Sequence, residues 1–426
     1  MYYCRKYCLM VGCLLILCSV IRAQDTLTSA EVESRSSMFF TQGNWDALIR
    51  YGNTALSKGF DYYYLRYRLG VAYFSEKKYR QAQNHFEKAI TFNSTDEAME
   101  YLYYCYLYTG QYERARWLSK SFSSAAVSYT GSDKLKSFSY ATLEAGVGTT
   151  DSTKQFDNYY YMQAGAGFYV KNRFSMYHAL TYFTQTDFRG ITNQLQYYLN
   201  GKVPLKNDWS IAIGAQPILR DYSATTYPIA PTLIRIPSRL HPPPNLDSSR
   251  FVPKEDTVHG PVKTKLDFVS AVSITKTTGN FDFTLGTAIG SLDTTTQYEQ
   301  YIGISWYPMG NNIFSINEIA YLHTETYYQH IHFALNSSIT FAPTQKFSLT
   351  ASYLANTGGN LVESDGYIVS GTPDFMLTRF SLLADIAVSK SISIYGAYQH
   401  QDNIEFHQHW PFQYNLYVIG LKYIPK

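Results

Sequence analysis

Six histidines fall where they could act together. His330-x-His332 carries two imidazoles to one side of an extended segment, and His323, His400, His407 and His409 fall near the same end of the segments around them. Two histidines at alternating positions can hold a divalent metal, and histidine beside serine is the raw material of a hydrolase. A hydrolase also needs a nucleophile, a base and an orienting group within reach of one another, and no G-x-S-x-G or comparable signature accompanies these residues. The histidines therefore read as polar lining, with no catalytic residue, metal ligand or cofactor assigned. Cys105 sits in an apolar helical pattern and reads as a buried structural thiol.

The elements that position these residues follow from composition and periodicity. Aromatic residues make up 17% of the 426 positions and charged residues 16%, and tyrosine alone fills 41. Such a balance excludes disorder over most of the chain. A formal net charge of +3 gives no footprint for nucleic acid. After the first twenty-odd residues no apolar run reaches the roughly 18 that a membrane helix needs. The start itself, with Arg5 and Lys6, an uncharged run from Tyr7 to Ile21 and then Ala23, predicts a secretory signal peptide over 1–23. Its removal takes Cys4, Cys8, Cys13 and Cys18 and leaves Cys105 without a partner for an internal disulfide.

Residues 24–130 contain a repeat. Gly43-Asn-Trp45-Asp-Ala-Leu48 aligns with Lys77-Lys-Tyr79-Arg-Gln-Ala82 and then with Gly110-Gln-Tyr112-Glu-Arg-Ala115. Leu69, Tyr73, Phe86 and Ala89 recur at helical spacing, while Gly70 and Ala82 are small where paired helices approach. This pattern resembles the tetratricopeptide repeat, most closely in Leu69-Gly70-x-x-Tyr73 and Ala82-x-x-x-Phe86, and departs from it at Arg66 and Ser94. The resemblance implies antiparallel helix pairs whose first helices line a partner groove, here Tyr64, Tyr67, Phe74, Tyr104 and Tyr108. A groove of this kind suits a periplasmic protein or an apolar peptide.

From Phe138 onward the period changes to two. Ile331, Phe333, Leu335, Ile339 and Phe341 alternate with His330, His332, Asn336, Ser338 and Thr340, as a strand with one apolar and one polar face requires. About fourteen such strands are predicted, starting near 138, 158, 173, 193, 209, 263, 281, 296, 312, 329, 346, 376, 391 and 412. Tight turns and longer loops (about 150–157, 222–262, 356–374 and 402–411) alternate between the two ends. An even strand number with short turns at one end is the signature of an outer-membrane β-barrel, so 138–426 resembles the barrels of Gram-negative outer membranes. Tyr159 to Tyr161, Tyr197-Tyr198, Tyr307, Tyr327-Tyr328, Trp410 and Tyr423 are then expected at the lipid interfaces.

Alternation assigns Glu144, Lys202, Lys265, Asp267, Asp282, Glu299, His330, His332, Arg379 and Asp385 to the barrel lumen. Their mixed signs predict pairing within the lumen. Glu318 falls on the lipid side, which suggests a bulge or a shifted register there. The proline-rich loop 222–262, with Pro242-Pro243-Pro244, is expected either to plug the barrel or to project from it. Together these features describe a non-enzymatic protein: a helical repeat that recruits a periplasmic partner, and a lipid-embedded barrel that passes a solute or anchors an assembly. The competing reading is a barrel enzyme acting on lipid or polysaccharide at the membrane surface, with the histidine-rich rim as its site.

Overall fold

The computed structural model describes residues 27–151, 156–171, 173–187, 190–226, 258–259, 262–292, 295–326, 331–356, 361–369, 374–404 and 410–425. The predicted signal peptide lies outside these residues, as does most of the 222–262 loop.

Three helix pairs open the fold: α1 (Ser29–Thr41) with α2 (Trp45–Ser57), α3 (Tyr63–Ser75) with α4 (Tyr79–Phe92), and α5 (Asp96–Tyr108) with α6 (Tyr112–Leu118). A short helix, α7 (Ser124–Thr130), follows. The first helices of the first and third pairs are capped by Thr28 and Thr95, whose hydroxyls accept backbone N–H bonds. Each pair turns through a left-handed residue at the equivalent position, Gly43, Lys77 and Gly110, with φ of 65°, 58° and 74°. Lys77 holds that conformation without the freedom glycine has, which costs on the order of 1 kcal/mol. Gly70 lets α3 lie directly on α4, because a Cβ there would come within 2.7 Å of the Phe86 ring. Val71, Ala82, Phe86, Ala98, Leu102 and Cys105 form the buried seam between the second and third pairs. Cys105 is a buried free thiol.

Fourteen antiparallel strands follow. They are β1 (Phe138–Thr150), β2 (Phe156–Val170), β3 (Phe174–Asp187), β4 (Gly190–Pro204), β5 (Trp209–Thr226), β6 (Lys263–Thr278) and β7 (Phe281–Leu292). The second half comprises β8 (Thr295–Trp306), β9 (Phe314–Glu325), β10 (Ile331–Thr344), β11 (Phe347–Asn356), β12 (Phe375–Ala387), β13 (Ile392–Ile404) and β14 (Pro411–Tyr423). Each pairs with its sequence neighbours, and β1 pairs with β14 from Ala141–Tyr423 to Thr150–Tyr414, which closes the sheet. Closure leaves no free edge. The outer face exposes Leu143, Met162, Leu180, Ile213, Leu266, Ile302, Phe333 and Ile419 to the surroundings. A soluble protein rarely shows so much apolar wall, and a lipid bilayer requires it.

Two expectations are corrected here. Tyrosine is not chiefly a membrane-interface residue: Tyr159, Tyr161 and Tyr198 lie on the inner face, Tyr307 lies in the β8–β9 turn, and Trp410 packs with Phe412 and Tyr414. Alternation splits each Tyr-Tyr pair between the faces, so only Tyr160, Tyr197 and Tyr423 of that set point outward. Tyr327 and Tyr328 lie outside the described residues. The outward aromatics at the helical end are mostly Trp and Phe: Trp209, Phe281, Trp306, Phe341 and Phe347, with Phe281 and Trp306 stacked at 6.4 Å. At Glu318 the ladder is regular, Glu318 facing Ser337 and Ile304 in unbroken register, so neither bulge nor slip occurs. Glu318 points outward and accepts a 2.5 Å hydrogen bond from Ser337 Oγ.

The helical region sits against the end of the barrel that carries the β2–β3, β4–β5, β6–β7 and β8–β9 turns. Three arginines hold it there. Arg80 on α4 forms a two-pronged bond to Asp282 on β7, Arg114 on α6 bonds Asp208 and the Trp209 carbonyl, and Arg116 bonds the Lys136 carbonyl and lies over the Tyr169 ring. The β8–β9 turn also meets α4 directly, with Arg80 N–H donating to the Gly310 carbonyl at 2.9 Å.

Candidate functional site: the lumen and its inward hairpin

The loop between β11 and β12 turns into the lumen as a small hairpin, 361–369. Val362–Glu363 pairs with Ile368–Val369 around a turn in which Ser364, Asp365 and Gly366 have φ of 54°, 55° and 86°. Two consecutive non-glycine residues in the left-handed region are costly, and persist only where surrounding contacts over-determine them.

Those contacts come from strands spaced around the whole barrel. Tyr367 OH donates to Gln163 on β2. Tyr198 OH on β4 donates to the Ser364 and Asp365 carbonyls at 3.4 Å. Val269 on β6 packs under Gly366. On β8, Glu299 accepts the Val362 N–H at 3.1 Å and Tyr301 OH donates to Asp365 at 2.5 Å. Asn336 on β10 and Arg379 on β12 both donate to Glu363 Oε2, at 3.1 and 2.6 Å. Leu361 and Val362 add apolar anchors among Tyr321, Leu354 and Met376 and among Ile218, Val269 and Ala288. Gly214 is required on β5, because any Cβ there would collide with the Asp365 carbonyl oxygen.

The predicted lumen residues fall into three groups. Asp267, Glu299 and Arg379 are fully buried around the hairpin level, where Asp267 meets Lys265 at 3.0 Å and Arg220 at 3.5 Å. His323 lies between Glu299 and Glu325 at 3.4 and 3.2 Å, and its ring faces that of His332 with centroids 6.4 Å apart. Lys202, Asp282, Asp385 and Glu144 share the inner face nearer the helical end, where Asp282 is taken up by Arg80 and Glu144 accepts a 2.6 Å bond from Tyr395. His330, His407 and His409 lie outside the described residues. Among the described histidines, His400 does not join His323 and His332: it pairs with outward Phe380 across the ladder and bonds Asn415. Among the described residues no cluster of His, Cys, Asp and Glu could hold a metal ion.

Between the hairpin and the helical end lies a chamber of about 390 Å³, lined by Tyr140, Thr142, Tyr177, Tyr198, Asn200, Ser364 and Tyr367. Sequence reasoning missed both hairpin and chamber. The signals were the length of the 356–374 loop and the inward period of Tyr140, Tyr177 and Tyr198.

Most of the residues expected to line a groove in the helical region form one aromatic ladder. Tyr67 meets Tyr101, Tyr101 meets Phe74, Phe74 meets Tyr108 and Tyr108 stacks on Tyr104, with centroids 5.1 to 6.2 Å apart. Tyr64 stands apart, 58% exposed and touched by Tyr63 and Arg68.

The fold defines a class: a transmembrane β-barrel of the outer-membrane kind with an N-terminal helical region. No family model matches the chain, and no curated protein does either. Similar solved structures include the CymD monoaromatic hydrocarbon channel (7% identity, TM-score 0.46, 68% of this chain and 90% of that one). The Pseudomonas putida toluene transporter TodX is similar at 7% identity and TM-score 0.43, over 71% and 92% of the two chains. A Pseudomonas aeruginosa FadL homologue is similar at 9% identity and TM-score 0.40, over 68% and 90%.

Proposed function

We propose that this protein is a non-enzymatic outer-membrane channel whose lumen is stopped by the 361–369 hairpin, with the helical region on the periplasmic side. The short turns at the helical end support that orientation. The observation that carries the reading is the hairpin itself, a separate polar insert seated in a barrel whose next level is a tyrosine-lined chamber. A barrel serving only as an anchor needs neither. Tyrosine suits passage of small amphipathic solutes, since its ring offers apolar contact and its hydroxyl a hydrogen bond. The tetratricopeptide-like helix pairs, with the ladder from Tyr67 to Tyr104, are read as the seat of a periplasmic protein or peptide.

Planar-bilayer conductance tests the channel. Deleting 361–369 should convert a quiet protein into one with steady pores; a deleted barrel that stays heat-modifiable on gels yet never conducts overturns the reading. Binding of partners by the full chain, weakened by Tyr67→Ala and Tyr104→Ala, tests the groove.

A further inference from the structure

A second cavity, about 430 Å³, opens where the helical region meets the barrel. It shares the Tyr140 ring with the tyrosine-lined chamber, so the two adjoin through one side chain. Its walls combine two chemistries. Arg116, Lys134, Lys136 and Lys422 supply positive charge, and Leu107, Leu135, Ile424 and Pro425 with several tyrosines supply apolar surface.

Docking explains only one of these charges, that of Arg116. Arg80 and Arg114, which fasten the two parts together, each face an aspartate. Among the described residues Lys134, Lys136 and Lys422 have no carboxylate partner; the Lys422 ammonium lies 4.7 Å over the Tyr140 ring instead. Glu113 is a nearby acid: it accepts a 2.7 Å hydrogen bond from Ser175 Oγ, and its negative charge acts on Arg116. Lys134, Lys136 and Lys422 leave the recess net positive even with Glu113 beside Arg116, a balance that suits an anion. Arg116 is also held in place, by the Lys136 carbonyl and the Tyr169 ring, so one cation is positioned before any ligand arrives.

We propose that this junction cavity binds a small organic anion, an aromatic or short apolar body bearing one phosphate, sulfonate or carboxylate group. The anionic end would meet Arg116 and the lysines, and the body would lie against Leu107 and the tyrosines. As the last station of a solute route the site rests on the channel reading above, whereas binding itself does not.

The test is calorimetric titration of the full chain in neutral detergent with phenyl phosphate, against benzyl alcohol and inorganic phosphate. Phenyl phosphate should bind with unit stoichiometry, at least tenfold more tightly than either comparator. K134Q/K136Q/K422Q should weaken it at least tenfold, and Leu107→Trp, which fills the recess with every charge intact, should do the same. Unchanged binding in both variants, no binding by the parent, or equal affinity for inorganic phosphate overturns the proposal. A protein that conducts after hairpin deletion but binds no phenyl phosphate sinks this site alone; one that binds but never conducts sinks the channel alone.

Discussion

Arg80 and Asp282 are 202 positions apart in the chain and form a two-pronged bond, both nitrogen–oxygen distances 2.9 Å, with the Arg80 side chain 2% exposed. The Tyr307 ring lies 3.6 Å from the guanidinium carbon on the other side. One arginine thus joins a helix of the repeat region to the rim of the barrel.

Arg80→Ala would strand Asp282 beside the Tyr307 ring and open a hole in the interface. Removing one member of a buried pair costs about 3–5 kcal/mol. The expected result is detachment of the helical region without unfolding of the barrel, read as faster protease cleavage in 131–137 with heat-modifiable migration unchanged. Asp282→Asn keeps one acceptor, turns a donor toward the guanidinium and leaves the buried Arg80 charge unpaired, so it should detach the helical region as well.

Gly214→Val should displace the hairpin, since its side chain would occupy the space of the Asp365 carbonyl. The expected outcome is intermittent conductance, between the quiet parent and the deletion of 361–369. A silent variant that still folds would mean the hairpin shifts without opening a path.

Two buried groups in the helical region respond to pH in opposite senses. Burial, and then the Arg66 charge, lowers the His85 pKa to about 4. The unfolded chain takes that proton near 6.5, so this term costs stability as pH falls from 6.5 to 4. Burial, and then Asp208, pushes Glu87 up to about 7 against hydrogen bonds from Tyr106 and Gln83. The unfolded chain loses that proton near 4.5, so this term costs stability as pH rises from 4.5 to 7. Across the overlap the two offset each other, and the parent should show little slope. Glu87→Gln should unmask a loss on acidification and His85→Gln a loss on alkalinisation, each on the order of 3 kcal/mol. Urea unfolding followed by far-ultraviolet circular dichroism at stepped pH checks both signs.

Glu318 is an acid on the lipid face, and among the described residues its side chain accepts a hydrogen bond from Ser337 alone. Glu318→Leu should stabilise the folded barrel in lipid by up to about 2 kcal/mol, because a charged side chain on that face is unfavourable by similar amounts. Urea titration in vesicles, scored by heat-modifiable migration, measures it. A loss of stability would mean that the Ser337 bond outweighs the cost of burying the acid in lipid.

Much of the wall was legible residue by residue. The strand expected near 281 runs Phe281–Leu292, and that expected near 263 runs Lys263–Thr278, because a barrel residue has only two environments, lipid and lumen, and alternation reports which. The helix pairs were legible through Gly43, Lys77 and Gly110, which mark the same turn three times. The hairpin was not: Val362-Glu363-Ser364-Asp365-Gly366 has no period and reads as an ordinary loop. Tyrosine misled for a related reason, since a ring with a hydroxyl suits a lipid interface and a hydrogen-bonded lumen equally well.

The helices, the wall strands and most of their faces are specified by residues two to four positions apart. The contents of the lumen and the junction of the two parts depend instead on contacts between residues far apart in the chain. Glu363 finds Arg379 and Asn336, and Arg80 finds Asp282, only after the sheet has closed between β1 and β14. Before that closure each of these charges has no partner within reach along the chain, and its pattern is that of an exposed polar residue.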